Sequence, residues 1–92
     1  MTAAELTRAR TAEERLRADL NRLVRERLAA LADARRAEDL GRLPGADPSL
    51  GETAARFTAL AGRLEVSIEE ARTALRRQQA EVERLRADAA GA

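Results

Sequence analysis

The chain has 92 residues, carries no Cys and no His, and has a formal net charge of +1. Disulfides and thiolate or imidazole metal sites are thereby excluded, and so is the commonest general base. A single domain is the most such a length supports, and a lone core of this size is marginal, which leaves oligomerisation or a partner as the remaining source of stability.

The opening, Thr2-Ala3-Ala4-Glu5, has capping-box spacing and starts a first helix over residues 3–40. No apolar leader precedes it, and no apolar run is long enough to span a bilayer. The expected location is the cytoplasm, with export by a dedicated signal-independent machine as the alternative. Leu6, Glu13, Leu20, Arg27 and Ala34 occupy the a positions of an unbroken heptad. Ala9, Leu16, Leu23, Ala30 and Ala37 occupy the d positions. Every basic residue is Arg, as a GC-rich bacterial coding sequence would give.

Residues 41–49 hold both prolines and two of the five glycines, and read as the bend. Gly41 suits a left-handed helix cap, and Pro44 and Pro48 cannot continue a helix. Two starts are on offer for the second helix, Ser49-Leu50-Gly51-Glu52 as a capping box and Asp47-Pro48 as a cap followed by Pro.

The second helix is expected over residues 50–89. Its a positions are Ala54, Ala61, Ile68, Leu75, Val82 and Ala89; its d positions are Leu50, Phe57, Leu64, Ala71, Gln78 and Leu85. Sustained repeats of about 3.5 residues imply a coiled-coil seam. Folding about the bend opposes residues whose numbers sum to about 91, which sets Leu6 against Leu85, Leu16 against Leu75 and Leu23 against Ile68. The same register sets the polar seam residues Glu13 and Gln78 against each other and the lone Phe57 against Ala34. The expected fold is therefore all-α, one antiparallel two-helix hairpin over residues 1–92, completed into a helical bundle by dimerisation or by a docked partner. A domain-swapped dimer with the same layers is the structural alternative.

Apolar surface exceeds what the seam uses. Val24 and Leu31 are e positions, Leu28 is a b position on their outer flank, and Leu60 is a g position read here as lying beside Leu31. These four residues are the candidate partner-binding face. Arg27 is expected to pack its stem in the seam and send its head to water or to Glu26 or Glu65. Glu13, Arg27 and Gln78 read as register devices.

Other classes fit less well. The first 42 residues hold ten Arg and eight acids, and the remainder seven and eight, so neither half is a basic arm. Arg and acid alternate four apart (Glu13 with Arg17, Arg22 with Glu26, Arg35 with Asp39, Arg84 with Asp88) as on a solvated helix. With one aromatic residue in the chain, bases have little to stack on. No catalytic, metal or cofactor motif is present, so the expectation is a non-enzyme without cofactor, metal, membrane or nucleic-acid partner. Its partner would be itself or another helical protein, and its role that of a structural or adaptor subunit.

Two families are resembled. In size and in its mid-chain bend the chain looks like the small WxG-type helical hairpins exported by type VII secretion, although the bend reads Leu43-Pro44-Gly45 where that family has Trp-x-Gly. The stretches Thr11-Ala12-Glu13-Glu14-Arg15-Leu16-Arg17-Ala18-Asp19-Leu20 and Leu31-Ala32-Asp33-Ala34-Arg35-Arg36-Ala37-Glu38-Asp39-Leu40 are similar to the coiled-coil arm of Gre-type transcript-cleavage factors. That second resemblance implies a transcription regulator acting through its tip acids, here Asp47 and Glu52, although the family's acidic segment after Leu40 is replaced by Gly41-Arg42-Leu43-Pro44.

Overall fold

A computed structural model describes residues 2–91. Two long helices, α1 (Ala3–Gly41) and α2 (Leu50–Gly91), account for nearly all of them. Both are built mainly from Ala, Leu, Arg and Glu, the residues that lose least in helical geometry. Thr2 starts α1 as expected. Its Oγ1 accepts the Glu5 N–H at 3.3 Å, satisfying one donor of the first turn.

The end of α1 differs from the sequence reading. Gly41 remains helical, and among the described residues the one with positive φ is Gly45, at 74°. Helical bonding tightens before it stops: Arg42 N–H bonds to the Asp39 carbonyl and Leu43 N–H to the Leu40 carbonyl, three residues back in each case. Ala46 N–H then closes a turn on the Leu43 carbonyl at 3.1 Å. With Pro44 second and Gly45 third in that turn, the residues match a type II turn, whose third position requires the positive φ that glycine supplies.

Of the two starts available to α2, Asp47-Pro48 is the one used. The Asp47 carboxylate accepts the Ser49 N–H at 2.8 Å, and its carbonyl accepts the Leu50 N–H. Pro48, which lacks an N–H, occupies the first position, where none is needed. Ser49 serves through its backbone, its carbonyl accepting the Thr53 N–H at 3.0 Å. At its far end α2 reaches Gly91, two residues beyond the expected 89.

The chain divides into two compact units, Met1–Asn21 with Glu69–Ala92, and Arg22–Ile68. In the first, antiparallel segments of α1 and α2 bury Ala9, Leu75, Val82 and Leu85, with Leu6 packed against the Ala9–Val82–Leu85 cluster. The second unit is a helical hairpin in itself. Its buried residues are Ala30, Ala34, Ala37, Ala54 and Ala61, with Ile68 at the edge. The register is that of the heptads, since a Cβ built on Gly41 would lie 3.7 Å from Leu50 Cβ. Burying an alanine methyl contributes about 0.8 kcal/mol, against about 2 for a leucine, and Leu23, Leu50, Phe57 and Leu64 of this unit are only half-buried, so it gains less from its own seam.

Candidate docking surface

Among the described residues the large apolar side chains that stand exposed are Leu28, Leu31, Leu40, Leu43, Leu60 and Val66, and all six belong to Arg22–Ile68. Alanines and Ile68 supply the buried positions of this unit, Leu23, Leu50, Phe57 and Leu64 are half-buried, and Leu28, Leu31, Leu40, Leu43 and Leu60 stand exposed.

Val24, Leu28 and Leu31 follow one another at helical spacings of four and three on α1. Val24 is half-buried, Leu28 is 59% exposed and Leu31 38%. Together they form a continuous apolar strip along one flank. Leu31 shares a shallow depression with Ala34, Arg35 and Glu38 of its own helix and with Thr58 of α2. That contact corrects the placement of Leu60. Two residues along a helix turn the side chain by about 200°, so with Thr58 on the Leu31 flank, Leu60 emerges on the other. It is 37% exposed there and is not part of the Val24–Leu28–Leu31 strip.

Arg27, a seam position, borders the strip. Its Nη2 lies 4.0 Å from Glu65 Oε2, with the arginine side chain 35% exposed and the glutamate 64%. The stem therefore packs and the head reaches outward to Glu65, one of the two acids expected. Its Nε, however, is buried without a hydrogen-bond partner, a cost that a solvent-exposed ion pair at 4.0 Å does not offset.

The seam polar residues behave differently from expectation. Gln78 does not meet Glu13. It donates from Nε2 to the Ala9 carbonyl at 2.9 Å, one helical turn along, because its amide is long enough to pass the neighbouring layer and find a backbone acceptor. Glu13 turns along its own helix to Arg17 at 3.5 Å.

A second apolar hollow, not singled out from the sequence, lies near the bend. Ala32, Leu40 and Leu43 line it together with Arg35, Arg36 and Asp39. Leu40 and Leu43 are three apart, a helical spacing that crosses the helix end and so escapes a heptad count.

The charged surface is a set of local pairs. Arg36 with Asp33, Arg56 with Glu52, Arg72 with Glu69 and Arg86 with Glu83 are spaced three or four apart. Asp39 pairs with Arg42 at 3.0 Å, where Arg35 had been the expected partner. Arg84 bridges Glu81 and Asp88. Its hydrogen bond holds the Glu81 carboxyl below the usual range, and the same contact raises Arg84. The tip acids have local work. Hydrogen bonds from the backbone and hydroxyl of Ser49 hold the Asp47 carboxyl below the usual range, and Glu52 accepts from Arg56 at 3.2 Å. Among the described residues there is no group of acids that could hold a metal ion, and no helix is long and apolar enough to cross a membrane.

No protein-family model matches the chain, and no curated protein or solved structure matches it significantly. What can be said of its class rests on the fold, an all-α helical hairpin with coiled-coil heptads.

Proposed function

We propose that this chain is a helical protein–protein docking module, a structural or adaptor subunit that buries the Val24–Leu28–Leu31 strip against another helical surface. The observation that carries the reading is the gathering of the exposed large apolar side chains in Arg22–Ile68, whose fully buried residues are, Ile68 apart, all alanines. Buried alanine methyls, with Leu23, Leu50, Phe57 and Leu64 only half-buried, stabilise a hairpin less than fully buried leucines would. Burying the outer leucines against a partner adds what the seam does not provide. The spacing of the strip is that of a helix meeting another helix or a groove.

The test is the size of the assembly that the tagged chain forms in its native cells. Leu28→Glu with Leu31→Glu is expected to release the chain from its assembly while helicity by circular dichroism is unchanged. Asp47→Ala with Glu52→Ala is expected to leave the assembly intact. The reverse pattern, assembly lost with the tip acids and kept with the two glutamates, refutes the reading.

A further inference from the structure

We infer that the partner of the strip is an acidic amphipathic helix of another protein. One of its carboxylates is anchored on Arg35, and its apolar side chains cover Leu28 and Leu31 on one side of that anchor and Leu40 and Leu43 on the other. This names the class of partner for the docking reading and rests on it. All five residues belong to Arg22–Ile68.

Arg35 lines the depression that holds Leu31 and Thr58, and it also lines the hollow of Ala32, Leu40 and Leu43. One guanidinium thus stands between two apolar patches. Leu31 and Leu40 are nine residues apart, about 14 Å along a helix, so a partner helix of about three turns spans both. Arg35 is exposed and, among the described residues, has neither an ion pair nor a hydrogen bond. Of the two acids a turn further on, Asp39 is taken by Arg42 at 3.0 Å, and Glu38 comes within ion-pair distance of no arginine among the described residues. The cation is therefore free to take a carboxylate from outside the chain.

Charge selects the occupant. Residues 22–43 carry six Arg and four acids, and Arg25, one turn before Leu28, is a second exposed arginine without an ion pair among the described residues. An acidic helix meets this surplus with the opposite sign, and apolar contacts on both sides of the Arg35 pair exclude water and strengthen it. A second copy laid strip on strip brings the same surplus against itself. Running in the same direction, Arg35 meets Arg35. Turned end for end with Leu28 on Leu31, Arg25 comes beside Arg35. Like charges oppose in either direction, which disfavours the chain's own strip as the occupant and any basic helix with it.

The test is fluorescence anisotropy of two labelled synthetic helices titrated with the whole chain. Both carry Leu at alternating spacings of three and four; one has Glu and the other Lys at the charged positions between. The Glu peptide should bind, and the Lys peptide about tenfold more weakly or less. Arg35→Glu should invert that preference, whereas Arg15→Glu, the same change of charge in the other compact unit, should leave it in place, with helicity retained in both variants. Added salt should narrow the difference between the peptides. Leu28→Ala with Leu31→Ala should abolish binding of either. Equal binding of the two peptides, binding of neither, or a preference that survives Arg35→Glu overturns the inference and leaves the docking reading to its own test in cells. So does a chain that sediments as a dimer at micromolar concentration and yields to neither peptide, since a second copy then holds the strip. Binding of the Glu peptide that survives the paired leucine truncation overturns the inference and the docking reading together.

Discussion

Truncating Leu28 and Leu75 to alanine should separate a docking residue from a core residue. Either change removes about three carbons, worth about 2.4 kcal/mol if the leucine is wholly buried. Leu28 is 59% exposed, so in the lone chain its truncation is expected to cost about 1 kcal/mol or less, partly offset by the better helix propensity of alanine. Leu75 is 9% exposed and is expected to lose the full transfer energy plus a cavity contribution, about 3 kcal/mol or more. The assay is urea unfolding of the dilute chain followed by circular dichroism. Leu75→Ala should be far the more damaging. Equal damage from the two variants in the dilute chain would place Leu28 in the core and undo the reasoning.

Three further outcomes are expected. Gly62 lies inside α2 with nothing within 4 Å of a Cβ placed there, so Gly62→Ala should stabilise the chain, by up to about 1 kcal/mol, seen as a higher melting temperature; a lower one would show that something packs on this position. Gln78→Ala deletes the bond to the Ala9 carbonyl and should cost about 1 kcal/mol in urea unfolding, whereas Glu13→Ala should be nearly silent, and equal costs would revive direct pairing of the two. Asp47 and Glu81 have lowered carboxyl pKa values, so the stability they contribute is present above the unfolded value near 4 and is lost as pH falls through their folded values. An acid titration of helicity should show Asp47→Asn keeping the cap with less acid sensitivity than the wild-type chain, and an unchanged acid profile would argue against the cap.

The two helices were legible because two signals agree. The heptads persist across both segments, and the prolines fall together in the bend. Where detail failed, the cause was local geometry that a heptad does not encode. Gly41 was read as the left-handed cap, but the Leu43-Pro44-Gly45-Ala46 turn places the positive φ at Gly45 and lets the helix run on. Gln78 and Glu13 occupy the same layer, but a side chain longer than the layer spacing finds a backbone carbonyl first. Leu60 was assigned to the Leu31 flank from its height along the hairpin. In an antiparallel pair e positions flank e positions and g positions flank g positions, so equal height puts Leu31 and Leu60 on opposite sides. The exposed strip itself was visible as spacing on α1, whereas the alanine seam beneath it acquired meaning only once burial showed which side of each helix faces inward.

The most direct test of the docking module is a photo-crosslinking amino acid placed in turn at Leu28 and at Val66 in the native cell. Val66 is a matched control at 60% exposure, against 59% for Leu28, and lies outside the strip. The account predicts one defined adduct from position 28 and none from position 66. No adduct at 28, or the same adducts from both positions, would contradict it.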